Sequence, residues 1–158
     1  MTAAEQTDGD GVLFNCVVDA SVGIKLFLVE PLSDQAHRLF AHLTDDPPAL
    51  FYVPDLFYIE CANILWKYEQ RFGYPAAQAR QDIHDLVHLP LHSVPLTTLA
   101  EPALALAAET GCTAYDAAYV VLARELNLPL ITADAALARR FADIEPDVRM
   151  LGEPAPAR

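Results

Sequence analysis

The chain has 158 residues, 53% of them hydrophobic, enough to bury one sizeable core, and no apolar run approaches the ~18 residues needed to cross a membrane. A net charge of −12 and a pI of about 4.6 are unfavourable for holding nucleic acid through Lys and Arg alone, although bound divalent cations can reverse the local sign. Three widely spaced cysteines, Cys16, Cys61 and Cys112, form no C-x-x-C pair, which argues against a zinc site and for reduced thiols in a cytoplasmic protein.

Residues 1–12 are acidic and polar, lack the basic and apolar regions of a signal peptide, and are expected to form a disordered leader. One domain is expected over residues 13–151. Its first strand reads at 14–18 (FNCVV), followed at once by Asp19 and by a helix over 21–29 that stops near Pro31. Ser33 is expected to cap the next helix, which runs to residue 43 with Asp34 in its first turn. A loop at 45–48 leads to a second strand at 50–53; Pro54-Asp55 then starts a long helix over 56–71, ended near Gly73. Pro75 suits the first turn of a helix over 76–87, and a third strand follows at 91–94. Thr97 or Thr98 is expected to cap a helix that tolerates Pro102 in its first turn and stops at Gly111. Thr113 caps another, whose run from Ala114 to Ala123 is almost wholly apolar or small. A strand at 128–132, a helix at 135–141 and a strand at 148–151 complete the domain, with 152–158 as a flexible tail. Strands that alternate with one or two helices specify an α/β fold with a central, mainly parallel sheet covered on both faces.

Most of the 22 acidic residues lie in polar loops or on helix surfaces, but four do not. Asp19 and Asp134 each follow an apolar strand, and Glu60 and Asp116 sit in apolar helices. Ligands of open α/β sheets bind beyond the C-terminal ends of the strands. If the strands before Asp19 and Asp134 are central neighbours, those two acids meet at one end, and the helices can bring Glu60 and Asp116 to the same cleft. Carboxylates that close repel one another and some take up protons; a hard divalent cation relieves the repulsion, and Mg²⁺ and Mn²⁺ prefer oxygen ligands. Taken singly, an acid at a strand end is more often a helix cap, and one in an apolar helix can pair with a buried Arg. Four of them in this order are poorly explained that way.

The segments VVDAS, DLFYIECANIL, TAYDAAYVVLA and PLITAD, in this order and spacing, resemble the PIN-domain family, particularly the VapC-type toxins of bacterial toxin–antitoxin pairs. The resemblance spans roughly residues 15–151. It implies a three-layer α/β/α PIN-like fold and a Mg²⁺- or Mn²⁺-dependent endoribonuclease that hydrolyses RNA phosphodiester bonds. Asp19, Glu60, Asp116 and Asp134 would form its catalytic, metal-holding quartet. Ser21 and Thr132 match hydroxyl positions that often assist in the family. Asn63 shares a helical face with Glu60 and is positioned to orient it. A cognate antitoxin protein and a homodimer are the partners the resemblance implies. The alternative is a PIN-like module that binds or assembles without catalysis. No residue distinguishes RNA from DNA as substrate.

Other groupings carry less. His84, His88 and His92 recur every fourth residue, but Pro90 interrupts the helix and no cysteine is near, so they read as a solvated face rather than a zinc site. Lys25, Lys67, Arg71, Arg124, Arg139 and Arg140 are the internal cations that can meet phosphates at the cleft rim. Phe57, Tyr58, Trp66, Tyr115 and Tyr119 read mostly as core. A receiver domain would need a paired acid after the first strand, and a haloacid-dehalogenase-type phosphatase would need D-x-D; Asp19-Ala20-Ser21 offers neither.

Overall fold

The computed structural model describes residues 14–144 and 147–153. The leader expected at 1–12 and most of the expected tail lie outside that range. Five short strands, β1 (Cys16–Val18), β2 (Phe51–Pro54), β3 (His92–Val94), β4 (Leu130–Thr132) and β5 (Val148–Met150), form one sheet in the order β3-β2-β1-β4-β5. Every pairing is parallel, with Val17 opposite Tyr52 on one side and Leu130 on the other. The helices are α1 (Ala20–Gly23), α2 (Ser33–Ala41), α3 (Leu56–Phe72), α4 (Ala76–Val87), α5 (Leu96–Thr110), α6 (Ala114–Leu126) and α7 (Ala135–Arg140). They cover both faces of the sheet, giving the three-layer α/β/α architecture. The residues of β1 and β4 are buried without exception, as continuous apolar strands in a covered parallel sheet must be.

The topology positions the site. From β1 the chain winds outward through β2 to β3, then returns to place β4 on the other side of β1. The winding therefore reverses between β1 and β4, and a crevice opens beyond the C-terminal ends of these two strands. Asp19 directly follows β1, and its amide donates to the Ile131 carbonyl at 3.0 Å, which ties the two strand ends together. The central adjacency inferred from the sequence is present.

Several local expectations fail where tertiary contacts intervene. The helix expected at 21–29 is only the turn of α1 followed by a 3₁₀ turn, Ile24–Leu26. Glu30 folds back onto Lys25 and Tyr68, and the Ser33 hydroxyl takes the Leu28 carbonyl at 2.8 Å, closing a loop where the helix would have continued. Ser33 consequently does not cap α2; that position falls to Leu32, whose φ of 70° is left-handed. Neither Thr97 nor Thr98 caps α5, which starts at Leu96, so Pro102 lies beyond its first turn. The Leu96 amide donates instead to Asp55 Oδ1, 41 residues away in sequence. Strand limits shift by one or two residues, most at β1 and β4, which begin two residues later than expected, at Cys16 and Leu130.

Helix α1 packs on α3 at unusually short range. An ideal Cβ built on Gly23 would lie 2.5 Å from Phe57 Cζ, inside any allowed contact, and the Phe57 ring is fully buried. Gly23 is thus what lets α3 sit close enough to bring Glu60, one turn beyond Phe57, toward the crevice. The cysteines are free, with Cys16 and Cys61 buried. Among the described residues, no helix is long and apolar enough to cross a membrane.

Candidate active site

Asp19 is only 6% exposed, and its carboxylate is held from both sides. Ser21, two residues on in α1, donates to Asp19 Oδ2 at 2.7 Å, and Thr132, at the end of β4, donates to the same oxygen at 2.7 Å. Both hydroxyl protons are committed there, so the 3.4 Å approach of the two hydroxyl oxygens is a consequence of the shared acceptor. Each hydroxyl oxygen in turn accepts an amide from the loop after β4, Ala133 to Ser21 at 2.9 Å and Asp134 to Thr132 at 3.0 Å. Ser21 and Thr132 therefore fix the geometry of both strand ends as well as orient Asp19.

The other acids arrive from three helices. Asp116 is in the first turn of α6, where the Thr113 hydroxyl accepts its amide at 3.1 Å, as a capping residue does. Glu60 comes from α3, and the Tyr119 hydroxyl donates to its Oε1 at 2.8 Å. Asp134 begins α7; its Oδ1 accepts the amides of Ala136 and Leu137 at 2.8 and 3.2 Å, and the side chain is exposed. The local capping role weighed for Asp134 is real, and it leaves Oδ2 outside those bonds. Asn63 is exposed and makes no hydrogen bond to Glu60.

Tyr119 does what Asn63 was expected to do. It lies three residues beyond Asp116 on one face of α6, so a single helix supplies one acid of the site and the ligand that holds another. Sequence reasoning treats such a tyrosine as core, and by burial it is: it is 0% exposed. The missed signal was its hydroxyl, which needs a partner once buried.

Electrostatics link the four acids. Burial pushes the Asp19 carboxyl above its usual range; the Thr132 and Ser21 hydroxyls pull it back, and the nearby charge of Asp116 adds to the rise. Burial likewise raises Glu60 to about 7, against the pull of the Tyr119 hydroxyl and with a further push from Asp19 and Asp116. Asp116 is raised by burial and then by Asp134, while Thr113 and Arg140 act the other way. Burial and the carboxylates drive the Tyr119 phenol well above its ordinary range, so it remains a proton donor to Glu60.

The donor set suits a hard divalent cation, because every candidate ligand atom is a carboxylate oxygen and the acids destabilise one another's charged forms. Convergence is incomplete: among the described residues, no three His, Cys, Asp or Glu side chains are gathered closely enough to hold a metal as they stand. The histidines form no rival centre. His84 and His88 stack at 4.4 Å between ring centroids on exposed positions, and His92 lies on β3. Of the rim cations, Lys25 is committed to Glu30 at 2.8 Å.

A consequence for stability can be read from Glu60. Its folded-state value of about 7 exceeds the ordinary 4.5, so between those pH values the native chain holds a proton that the unfolded chain has released. Stability therefore falls as pH rises through that window, and the full penalty is present above it. In chelator, Glu60→Gln should raise the melting temperature at pH 8 and leave it unchanged at pH 4. After discounting for partial exposure, the gain is on the order of 1–2 kcal/mol. Thermal melts at the two pH values check this; equal shifts at both would refute it.

Comparison with known proteins points in one direction. A family model described as the PIN domain matches residues 16–142. Ribonuclease VapC3 of Pyrobaculum aerophilum is 35% identical over 129 residues, covering 79% of this chain and 93% of that protein. Ribonuclease VapC9 of Mycobacterium tuberculosis is 34% identical over 122 residues, 77% of this chain and 87% of that one. Among solved structures, a toxin–antitoxin complex from Klebsiella pneumoniae contains a chain that superposes with a TM-score of 0.62 at 21% identity, covering 88% of this chain and 99% of that one.

Proposed function

This chain belongs to the PIN domain family, and on that premise we propose that it is a cytoplasmic, Mg²⁺- or Mn²⁺-dependent endoribonuclease, the toxin of a toxin–antitoxin pair. The observation that carries the proposal is Asp19, a buried carboxylate at the topological switch point, clamped by Ser21 and Thr132 and burdened by the charge of Asp116. A group so costly to bury suits a site that meets a cation in its working state. The ribonuclease names of the relatives at 34–35% identity support the choice of substrate.

Asp19, Asp116 and Asp134 would hold the metal, with Glu60 joining directly or through water. A bound divalent cation would supply positive charge for the scissile phosphate and acidify a water for in-line attack. The chain's own residues do the rest. Ser21 and Thr132 both donate to Oδ2 of Asp19 and hold it in one rotamer, which leaves Oδ1 outside those two bonds. Tyr119 holds Glu60 through Oε1, which leaves Oε2 to accept a proton; a carboxyl poised near 7 exchanges protons readily at neutral pH.

The antitoxin would bind on the α3 side. Ile59 and Trp66, seven residues apart on one face of α3, are 70% and 55% exposed. Trp66 borders a groove of about 300 Å³ between α3 and α4, lined also by Ala62, Leu65, Ala79 and Ile83. An amphipathic segment fits such a surface, and a basic one complements the acids beside it.

The purified chain should cleave single-stranded RNA when Mg²⁺ or Mn²⁺ is added and not in chelator. Titration calorimetry should detect weak metal binding that an Asp19→Asn/Asp116→Asn double variant lacks. The incomplete convergence of the acids favours one competing reading, a PIN-like module that binds without cutting. Metal-independent behaviour, with no cleavage and identical calorimetry for both proteins, would establish that reading instead.

A further inference from the structure

We propose that Arg140 and Tyr115 form the substrate-positioning edge of the cleft, Arg140 contacting a phosphate of single-stranded RNA and Tyr115 stacking on a base. This rests on the ribonuclease proposal and adds to it the means by which a chain of net charge −12 holds a polyanion. Arg140 ends α7, the helix that Asp134 starts, and its Nη1 donates to the carbonyl of Thr110, the last residue of α5. The guanidinium also lies 3.5 Å from where a Gly111 Cβ would be, so it rests on the turn that leads through Thr113 into Asp116. Among the described residues it has no carboxylate within ion-pair distance, unlike Lys25 and Arg149. One of its five donors is spent on Thr110, and the anchor keeps the remainder on an exposed, preorganised plane. Its charge reaches the cluster, since it opposes the rise at Asp116.

Tyr115 lies beside Asp116 in the first turn of α6 and is 67% exposed. Its neighbours Thr113 and Ala114 are exposed as well, so among the described residues the ring is largely uncovered. An exposed ring and an anchored guanidinium flanking a carboxylate make a sequence-tolerant platform for a single strand, where stacking and phosphate contact act together. A purely structural Arg140 would only cap α5 by taking a terminal carbonyl. That role does not need the unpaired charge, which gives the two roles different tests.

The test uses a fluorescein-labelled unstructured RNA oligonucleotide, with binding followed in chelator across a salt series and cleavage followed with Mn²⁺. The proteins are wild type, Arg140→Gln, Arg140→Ala, Tyr115→Ala and Arg38→Ala. Gln keeps a donor for Thr110 but no charge. Arg38 lines a separate pocket with Phe14, Gln35, Met150 and Leu151 that includes none of the four acids, and serves as the control. Losing one phosphate contact should lower the salt slope by about 1 and weaken binding about tenfold in both Arg140 variants. Tyr115→Ala should weaken binding by about tenfold at every salt concentration, leaving the slope unchanged. In cleavage assays KM should rise while kcat changes little, the mark of lost uniform binding. Arg140→Gln with the wild-type salt slope and KM, or a loss confined to kcat, would overturn the assignment while leaving the ribonuclease reading intact. A wild type that neither binds nor cuts RNA would overturn both.

Discussion

Asp116→Asn is expected to abolish RNA cleavage while leaving the metal-free chain at least as stable as wild type. The substitution keeps the shape and removes a charge that burial and Asp134 already disfavour. Thr113 continues to cap α6, so the helix start loses no hydrogen bond. What is lost is a favourable interaction with the helix dipole, worth ~0.3–1 kcal/mol. Relief of repulsion with Asp19, Glu60 and Asp134 offsets it. Activity behaves differently. Outer-shell partners of a metal ligand cost ~10–100-fold when mutated, so losing a ligand itself should cost at least a hundredfold or so. Cleavage assays with Mn²⁺ and thermal melts in chelator read the two effects separately. A folded variant that cuts at the wild-type rate would remove Asp116 from the machinery. A marked fall in melting temperature would make it a structural carboxylate.

The largest stability effect should come from Gly23→Val. A Cβ at this position meets Phe57 Cζ at 2.5 Å and Cε2 at 2.8 Å, and the ring is fully buried, so it moves only by displacing packed neighbours. Phe57 packs edge-on against Tyr58 with ring centroids 5.3 Å apart, so the strain spreads along α3. Overpacking of this kind costs ~1–3 kcal/mol for one methylene, and the branched valine should reach about 3 or more. For a domain of this size that lowers the melting temperature by roughly 6–12 °C. Phe57→Leu introduced beside Gly23→Val should recover part of the loss, although Phe57→Leu alone destabilises; that sign reversal identifies steric conflict. Strictly additive losses would show that the two residues do not meet.

The architecture, and the four acids as candidates, could be read from the chain because each rested on local pattern. Apolar runs ending in Asp marked the strand ends, and periodicity marked the helices. Legibility failed wherever a distant partner decided the outcome. Asp55 caps α5 rather than its own helix, a pairing no window of sequence contains. The helix after Asp19 is cut short by Glu30 reaching back to Lys25 and Tyr68. Glu60 is held by Tyr119, 59 residues away, although Asn63 lay at the right spacing on its own helix. Ser21 and Thr132 enter through the family resemblance, which matches each to an assisting hydroxyl position two residues from an acid. That both donate to one oxygen of Asp19 depends on the strand order, which the sequence supports only as a supposition.

The bond from Thr132 to Asp19 joins groups 113 residues apart in the chain. Translation delivers Asp19, β2 and α3 early, but β4 emerges only after α4, α5 and α6 have been made. Until then β1 lacks one neighbour, Asp19 lacks one of its two hydroxyl donors, and the loop bearing Asp134 does not exist. N-terminal segments begin to fold during synthesis, but this site cannot. For an enzyme that cuts RNA, the site is therefore complete only once β4 has paired with β1. Premature termination anywhere before Thr132 would release fragments without activity.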